Sequence, residues 1–214
     1  MFILTVDQID SRNDHDRAGE LVTALLAEYG EFLILPPDQT AGDEVQVMLE
    51  DARATLDVVL TVHRMGHWSV GLGLGNVRAP LPTVTRHATG SGFVAARDAV
   101  SRAKKTEARF ALTTPIPAER LASAGSLSGD EVEALITMLL LTRQRRTDEG
   151  WEAVDLVQQG LSQVGVARQL GISTAAVSQR VKAALWRVEQ AVQPALVRLL
   201  KNLDRATSET ESAA

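Results

Sequence analysis

Two rhythms of apolar residues divide this chain. In the first half, apolar runs of strand length alternate with stretches of helical spacing. Residues 2–9, FILTVDQI, predict a strand. Leu21, Val22, Leu25 and Leu26 fall at helical spacing within Ala18–Glu28. Phe32–Leu35 predicts a short strand closed by Pro36-Pro37, and Glu44–Leu49 another, the two forming a hairpin across the Pro36–Gly42 loop. Leu56, Val59 and Leu60 mark the inner side of a helix over Ala52–His63. Trp68–Leu74 predicts a strand, Gly92–Lys105 a helix and Arg109–Thr113 a last strand. The order is βαββαβ with one further helix and strand. It implies a split βαβ, ferredoxin-like sheet with helices on one face, within an α+β domain over residues 1–113.

The second rhythm is helical throughout. Residues 114–129 are rich in Pro, Ala, Ser and Gly and read as a linker. An all-α domain is expected over 130–206. Its helices are Asp130–Arg145, Trp151–Gln159, Gln163–Leu170, Thr174–Gln193 and Pro194–Ala206, the last two parted by a proline kink or break. Residues 207–214 are small and polar, which predicts a frayed tail.

Within the helical half, Gln163–Lys182 (QVGVARQLGISTAAVSQRVK) carries the pattern of two short helices joined by a tight turn. Ala167 is small where the helices must cross closely. Gly171 stands where the turn needs a positive φ. Ser173 can accept a hydrogen bond from the free N–H groups that open the next helix. Val166, Leu170, Ile172, Val177 and Val181 fall on the buried sides. This is a helix-turn-helix pattern, and it makes double-stranded DNA the first partner to consider. On the second helix, Val177, Val181 and Ala184 point inward. Thr174, Ala175, Ser178 and Gln179 point outward as candidate base contacts, since Gln can reach adenine N6/N7 and Ser or Thr several base edges. Arg168, Ser173, Arg180 and Lys182 are candidate phosphate contacts. The apolar stripe Leu185, Val188, Val192, Leu196, Leu199 and Leu203 either packs on Val132–Leu141 or forms a homodimer seam.

The stretch GLSQVGVARQLGISTAAVSQRVKAAL resembles the helix-turn-helix of LuxR-type regulators and of sigma-factor region 4. The resemblance covers about residues 150–187. It implies that Thr174–Leu185 enters the major groove.

A net charge of −5 looks wrong for a DNA-binding protein until it is located. Residues 160–187 contain Arg168, Arg180, Lys182 and Arg187 and no acid, so the positive charge is local. The chain has 214 residues and no cysteine, which excludes disulfides and thiol chemistry and fits a cytoplasmic protein. No apolar run is long enough to span a membrane, and MFILTVDQID does not read as a signal peptide.

In the first half, Asp7 ends an apolar strand. AGDEVQVML (41–49) sets Gly42, Asp43 and Glu44 at the start of another, and GLGLGNV (71–77) spaces three glycines on a third. Carboxylates at adjacent strand ends can hold a divalent cation such as Mg²⁺ together with the phosphates of a nucleotide. They can equally be solvated strand ends. Asp10-Ser11-Arg12 can contact phosphate or simply make a turn. The glycine spacing matches neither a Rossmann loop nor a P-loop.

Taken together, these segments resemble the palm of class III nucleotide cyclases and GGDEF cyclases, with Asp7 and Asp43 in the two metal-binding places. The same arrangement, with VDQIDSR and GDEVQ, is similar to the SatD family of small bacterial proteins. Departures are Ala41 for the first Gly of GGDEF, Val45 for its Phe, and Phe93 where the cyclase helix has an Asn four residues before Arg97. These departures favour a palm-like domain that binds a nucleotide, or nothing, over an active cyclase. The sequence therefore predicts a transcription regulator whose first domain senses a ligand or mediates dimerisation. A nucleotidyl cyclase tethered to DNA is the alternative.

Overall fold

The computed structural model describes residues 1–40, 42–123 and 127–212. It is an α+β structure with a single five-stranded mixed sheet among the described residues. The chain divides into two compact units, residues 1–137 with 196–214, and residues 138–195. The division falls inside two helices, α5 (Gly129–Gln144) and α9 (Trp186–Ser212). It does not fall in the expected 114–129 linker, which itself carries a short helix, α4 (Ala118–Ser123).

The first unit is built on strands β1 (Phe2–Gln8), β2 (Leu33–Gln39), β3 (Glu44–Leu49), β4 (Trp68–Leu74) and β5 (Phe110–Thr113), in the order β2-β3-β1-β4-β5. β1 is central and antiparallel to both neighbours, with Phe2 opposite Leu49 on one side and Leu74 on the other. β4 and β5 are parallel, joined through helix α3 (Ser91–Ala103), as a parallel pair requires. The side chains of β4 are buried throughout, so both faces of the sheet are covered. Gly71 and Gly73 decide what lies on one face. A Cβ on Gly73 would sit 2.2 Å from the backbone N of Ala96, and one on Gly71 2.1 Å from that of Val100. Helix α3 thus rests directly on the backbone of β4. Alternation turns Val70, Leu72 and Leu74 to the other face, where helices α1 (Ala18–Tyr29) and α2 (Ala52–Met65) lie against the strands. The expectation of helices on one face is corrected by those two glycines.

Three boundaries also differ from expectation, each for a local reason. β2 continues through Pro36-Pro37 to Gln39 because it is the sheet edge, where a missing N–H costs no ladder bond. Its register against β3 slips between Leu33 and Leu35 and again between Leu35 and Asp38, the second time across the prolines. Helix α2 runs past His63 to Met65, where Gly66 closes it at φ 76°. Of the expected tail, residues 207–212 continue α9 to Ser212, and residues 213–214 lie outside the described residues. Asp204 binds the Met1 ammonium, Glu211 accepts a hydrogen bond from the Asn76 N–H at 2.9 Å, and Thr207 is wholly buried.

The second unit contains helices α6 (Asp148–Gln158), α7 (Gln163–Leu170) and α8 (Thr174–Ala183), with the end of α5 and the start of α9. Its core is Ala153, Val154, Leu156, Val166, Ala167, Val177, Val181, Ala184 and Trp186. Hydroxyls of Thr147, Ser162 and Ser173 cap the three helices by accepting from the N–H of Gly150, Gly165 and Ala176. The expected continuous helix Thr174–Gln193 is instead two. Leu185 takes the left-handed conformation, φ 53°, and separates α8 from α9. Pro194 lies inside α9 without ending it.

Replacing Gly73 by Ala should destabilise the protein by ~3 kcal/mol, the upper range of overpacking, because the new methyl meets backbone that cannot swing aside. Urea denaturation measures this. A loss below about 1 kcal/mol would mean that α3 does not rest on β4 as described.

Candidate nucleic-acid interface

Helix α8 is two-sided. Val177 and Val181 are buried in the core of the second unit. Thr174, Ala175, Ser178, Gln179 and Lys182 are all exposed, so the four expected base-contacting residues and one phosphate candidate share the solvent side of one helix. Ser173 is exposed as well, while its hydroxyl accepts the Ala176 N–H at 3.1 Å. Arg168, on α7, is exposed. Gly171 closes α7 in the left-handed region, φ 64°, and turns the chain into α8. Of the phosphate candidates, Arg180 differs. It is half-buried and its guanidinium lies 3.3 Å from the carboxylate of Glu152 on α6. That pair would have to open for Arg180 to reach a phosphate.

What orients α8 was not visible in the helical pattern. Arg146 lies in the turn between α5 and α6, with its side chain 1% exposed. Its Nε and Nη2 both donate to the carbonyl of Ala184, the residue that closes α8, at 3.0 and 2.7 Å. The same Nη2 donates to Glu189 Oε2 at 2.6 Å. Arg143 donates to the other oxygen of Glu189, which also receives the Gln193 amide at 3.3 Å. The Trp151 ring lies against both guanidinium groups, 4.1 Å from Arg146 and 4.9 Å from Arg143. One buried carboxylate and one indole thus serve two buried cations. Counting only apolar residues placed the stripe of α9 one position off at its start. The buried positions are Trp186, Glu189, Gln193, Leu196, Leu200 and Leu203, while Leu185 and Val188 are 44% and 55% exposed. The signal available was the run Arg143-Gln144-Arg145-Arg146 ahead of Trp151, with Glu189 the lone acid between 156 and 203.

Of the expected nucleotide or metal residues in the first unit, β1 and β3 bring Asp7 and Glu44 side by side, and Asp43 stands just before β3. Asp7 is mostly buried, 15% exposed, and accepts from Lys104 Nζ at 2.7 Å. Its partner across the strands is Glu44, not Asp43. Glu44 already accepts from Thr40 Oγ1 at 3.0 Å and from the Gln46 amide at 3.3 Å. Asp43 precedes β3, and its backbone carbonyl takes the Gln8 N–H. Gly42 is exposed at φ 91°, and Ala41 lies outside the described residues. Among the described residues no three His, Cys, Asp or Glu side chains lie together as metal ligands. An ammonium in salt-bridge contact with Asp7 does not fit a Mg²⁺ site there. Asp10, at φ 55°, makes a turn with its carbonyl and carboxylate on Asn13. Asp14 is held down to about 2, first by its bond with Arg17, with burial opposing.

Glu189→Ala should cost ~3–5 kcal/mol of stability, because it strands two buried guanidinium groups without their carboxylate. Denaturation followed by the fluorescence of Trp151 and Trp186 reads this. A cost below about 1 kcal/mol would show that Glu189 does not organise the unit.

Comparison with protein-family models, with curated proteins and with solved structures returns no match. Among the described residues no helix is long and apolar enough to cross a membrane.

Proposed function

We propose that this chain is a sequence-specific DNA-binding regulator of transcription. In this reading residues 138–195 hold a helix-turn-helix in which α7 supports α8, and α8 lies in the major groove. The observation that carries it is the exposed side of α8. It presents Thr174, Ser178, Gln179 and Lys182 with no acid among residues 160–187, over an opposite side fixed in a core. Direct readout needs hydrogen-bonding side chains on a rigid element, and the carboxylate that stands beside α8, that of Glu152, is answered by Arg180. Gln179 is suited to adenine, while Arg168 and Lys182 are suited to phosphates.

The first unit, in the same reading, is a ferredoxin-like, palm-related domain. The order β2-β3-β1-β4 with β1 antiparallel to both neighbours supports that architecture. It serves as the ligand-sensing or dimerising half of a cytoplasmic homodimer. Catalysis as a cyclase is not favoured, since Lys104 takes the carboxylate that would hold the metal.

Two substitutions test the reading on duplex DNA by fluorescence anisotropy. Gln179→Ala should cost ~1–3 kcal/mol of discrimination at one base pair and leave the salt slope alone. Lys182→Ala should weaken all sequences alike and lower the salt slope by about 1. Arg180→Ala, by contrast, should leave the slope unchanged, since its charge is already paired with Glu152. Discrimination intact at every position in the first variant would remove α8 from the groove.

A further inference from the structure

A cleft of about 460 Å³ opens on the α3 side of the first unit. Its walls are Gln39 and Thr40 from the end of β2, Gln46 of β3, Arg86 and His87 from a short 3₁₀ turn (Thr85–His87), and Arg97 of α3. We infer that this cleft binds a small phosphorylated ligand, with Arg86, His87 and Arg97 around the phosphoryl oxygens. The inference rests on reading the first unit as a ligand-sensing half.

The composition of the walls is the first reason. Two arginines and a histidine line one cavity, alongside two glutamines and a threonine, and among the described residues no Asp or Glu lines it. The first unit is otherwise acidic, so such a grouping is not a sample of its surface. Like charges gathered around a cavity repel one another unless an anion joins them. The nearby acids only partly answer that charge. Asp38 stands 3.5 Å from Arg86 Nε, and Glu44 is engaged by Thr40 and Gln46. Arg97 and His87 have no side-chain partner among the described residues.

The second reason is that the backbone of the walls is anchored. The wholly buried Thr85 donates its hydroxyl to the Pro36 carbonyl at 2.7 Å, which ties the turn to β2. Ala88, next along, packs with Ile3, Met48, Phe93 and Ala96. Arg97 directly follows Ala96, which the contact with Gly73 holds against the sheet. The backbone that carries Arg86, His87 and Arg97 is therefore anchored by the core, while the three side chains themselves are exposed and can close on a ligand. Guanidinium forks match phosphoryl oxygens bidentately. The volume exceeds a bare phosphate and lies in the range of clefts that take small organic ligands.

The test is isothermal titration calorimetry of the full chain, without DNA, using pyrophosphate, ATP and GTP, with citrate as the carboxylate control. At least one phosphorylated probe should bind saturably and at least tenfold more tightly than citrate. Arg97→Ala and Arg86→Ala should each weaken it tenfold or more. Arg168→Ala, the same charge loss in the other unit, should leave it unchanged. No binding of any phosphorylated probe would overturn the inference. So would citrate binding as tightly, or equal loss in Arg168→Ala. The titration contains no DNA, so failure of the DNA reading leaves its outcome intact. Full DNA binding by a protein that ignores every probe would sink the cleft alone.

Discussion

The buried carboxylate of Glu189 is the point on which the second unit turns. A charge taken out of water costs several kcal/mol unless it is paired and hydrogen-bonded. Here one carboxylate answers two guanidinium groups, and the Trp151 ring supplies a second favourable surface for both. The consequence is geometric as much as energetic. Arg146 spans from Glu189 on α9 to the Ala184 carbonyl at the end of α8. The last turn of α8 is thereby tied to the start of α9 across the left-handed Leu185. The proposed reading of base edges by α8 would need the helix held in one orientation, and this network holds it from its C-terminal end. Ser173 and Gly171 set the other end.

The first unit shows the same logic with the opposite chemistry. Its constraint is the absence of side chains at Gly71 and Gly73, which lets α3 lie on backbone. That close approach fixes Ala96 and, next to it, Arg97. Placement of a basic residue beside a cleft thus follows from two glycines on a neighbouring strand. The same face carries Asp7, whose charge is met by Lys104 at the end of α3. Asp7, expected from the cyclase resemblance as a metal residue, is thus engaged by an ammonium, while Arg86, His87 and Arg97 on the same side of the sheet face solvent.

Much of this was legible from residue order. The five strands, α1, and the α7–α8 pair with its caps and glycine turn all follow from spacing and cap chemistry, which are local. What was not legible depended on partners far apart in sequence. Pro36-Pro37 reads as a strand terminator, yet β2 passes through it, because only the sheet order reveals that β2 is an edge. Residues 207–212 look too polar for a docked helix, but Glu211 meets a backbone N–H 135 residues away. Glu189 and Gln193 interrupt an apolar stripe, and only the arginines of the α5–α6 turn explain their burial. Of the candidate sites, the outward side of α8 was readable because helical periodicity assigns it. The Arg86, His87 and Arg97 cleft was not, because a 3₁₀ turn and a helix brought it together.

Whether α8 reads DNA sequence is tested most directly by selection from a random duplex pool with the 214-residue chain. A defined site with an adenine contact that Gln179→Ala relaxes should be enriched, while Glu152→Ala, on the far side of Arg180, should retain the same site. Failure to enrich any sequence, from protein shown to be folded, would contradict the proposed reading.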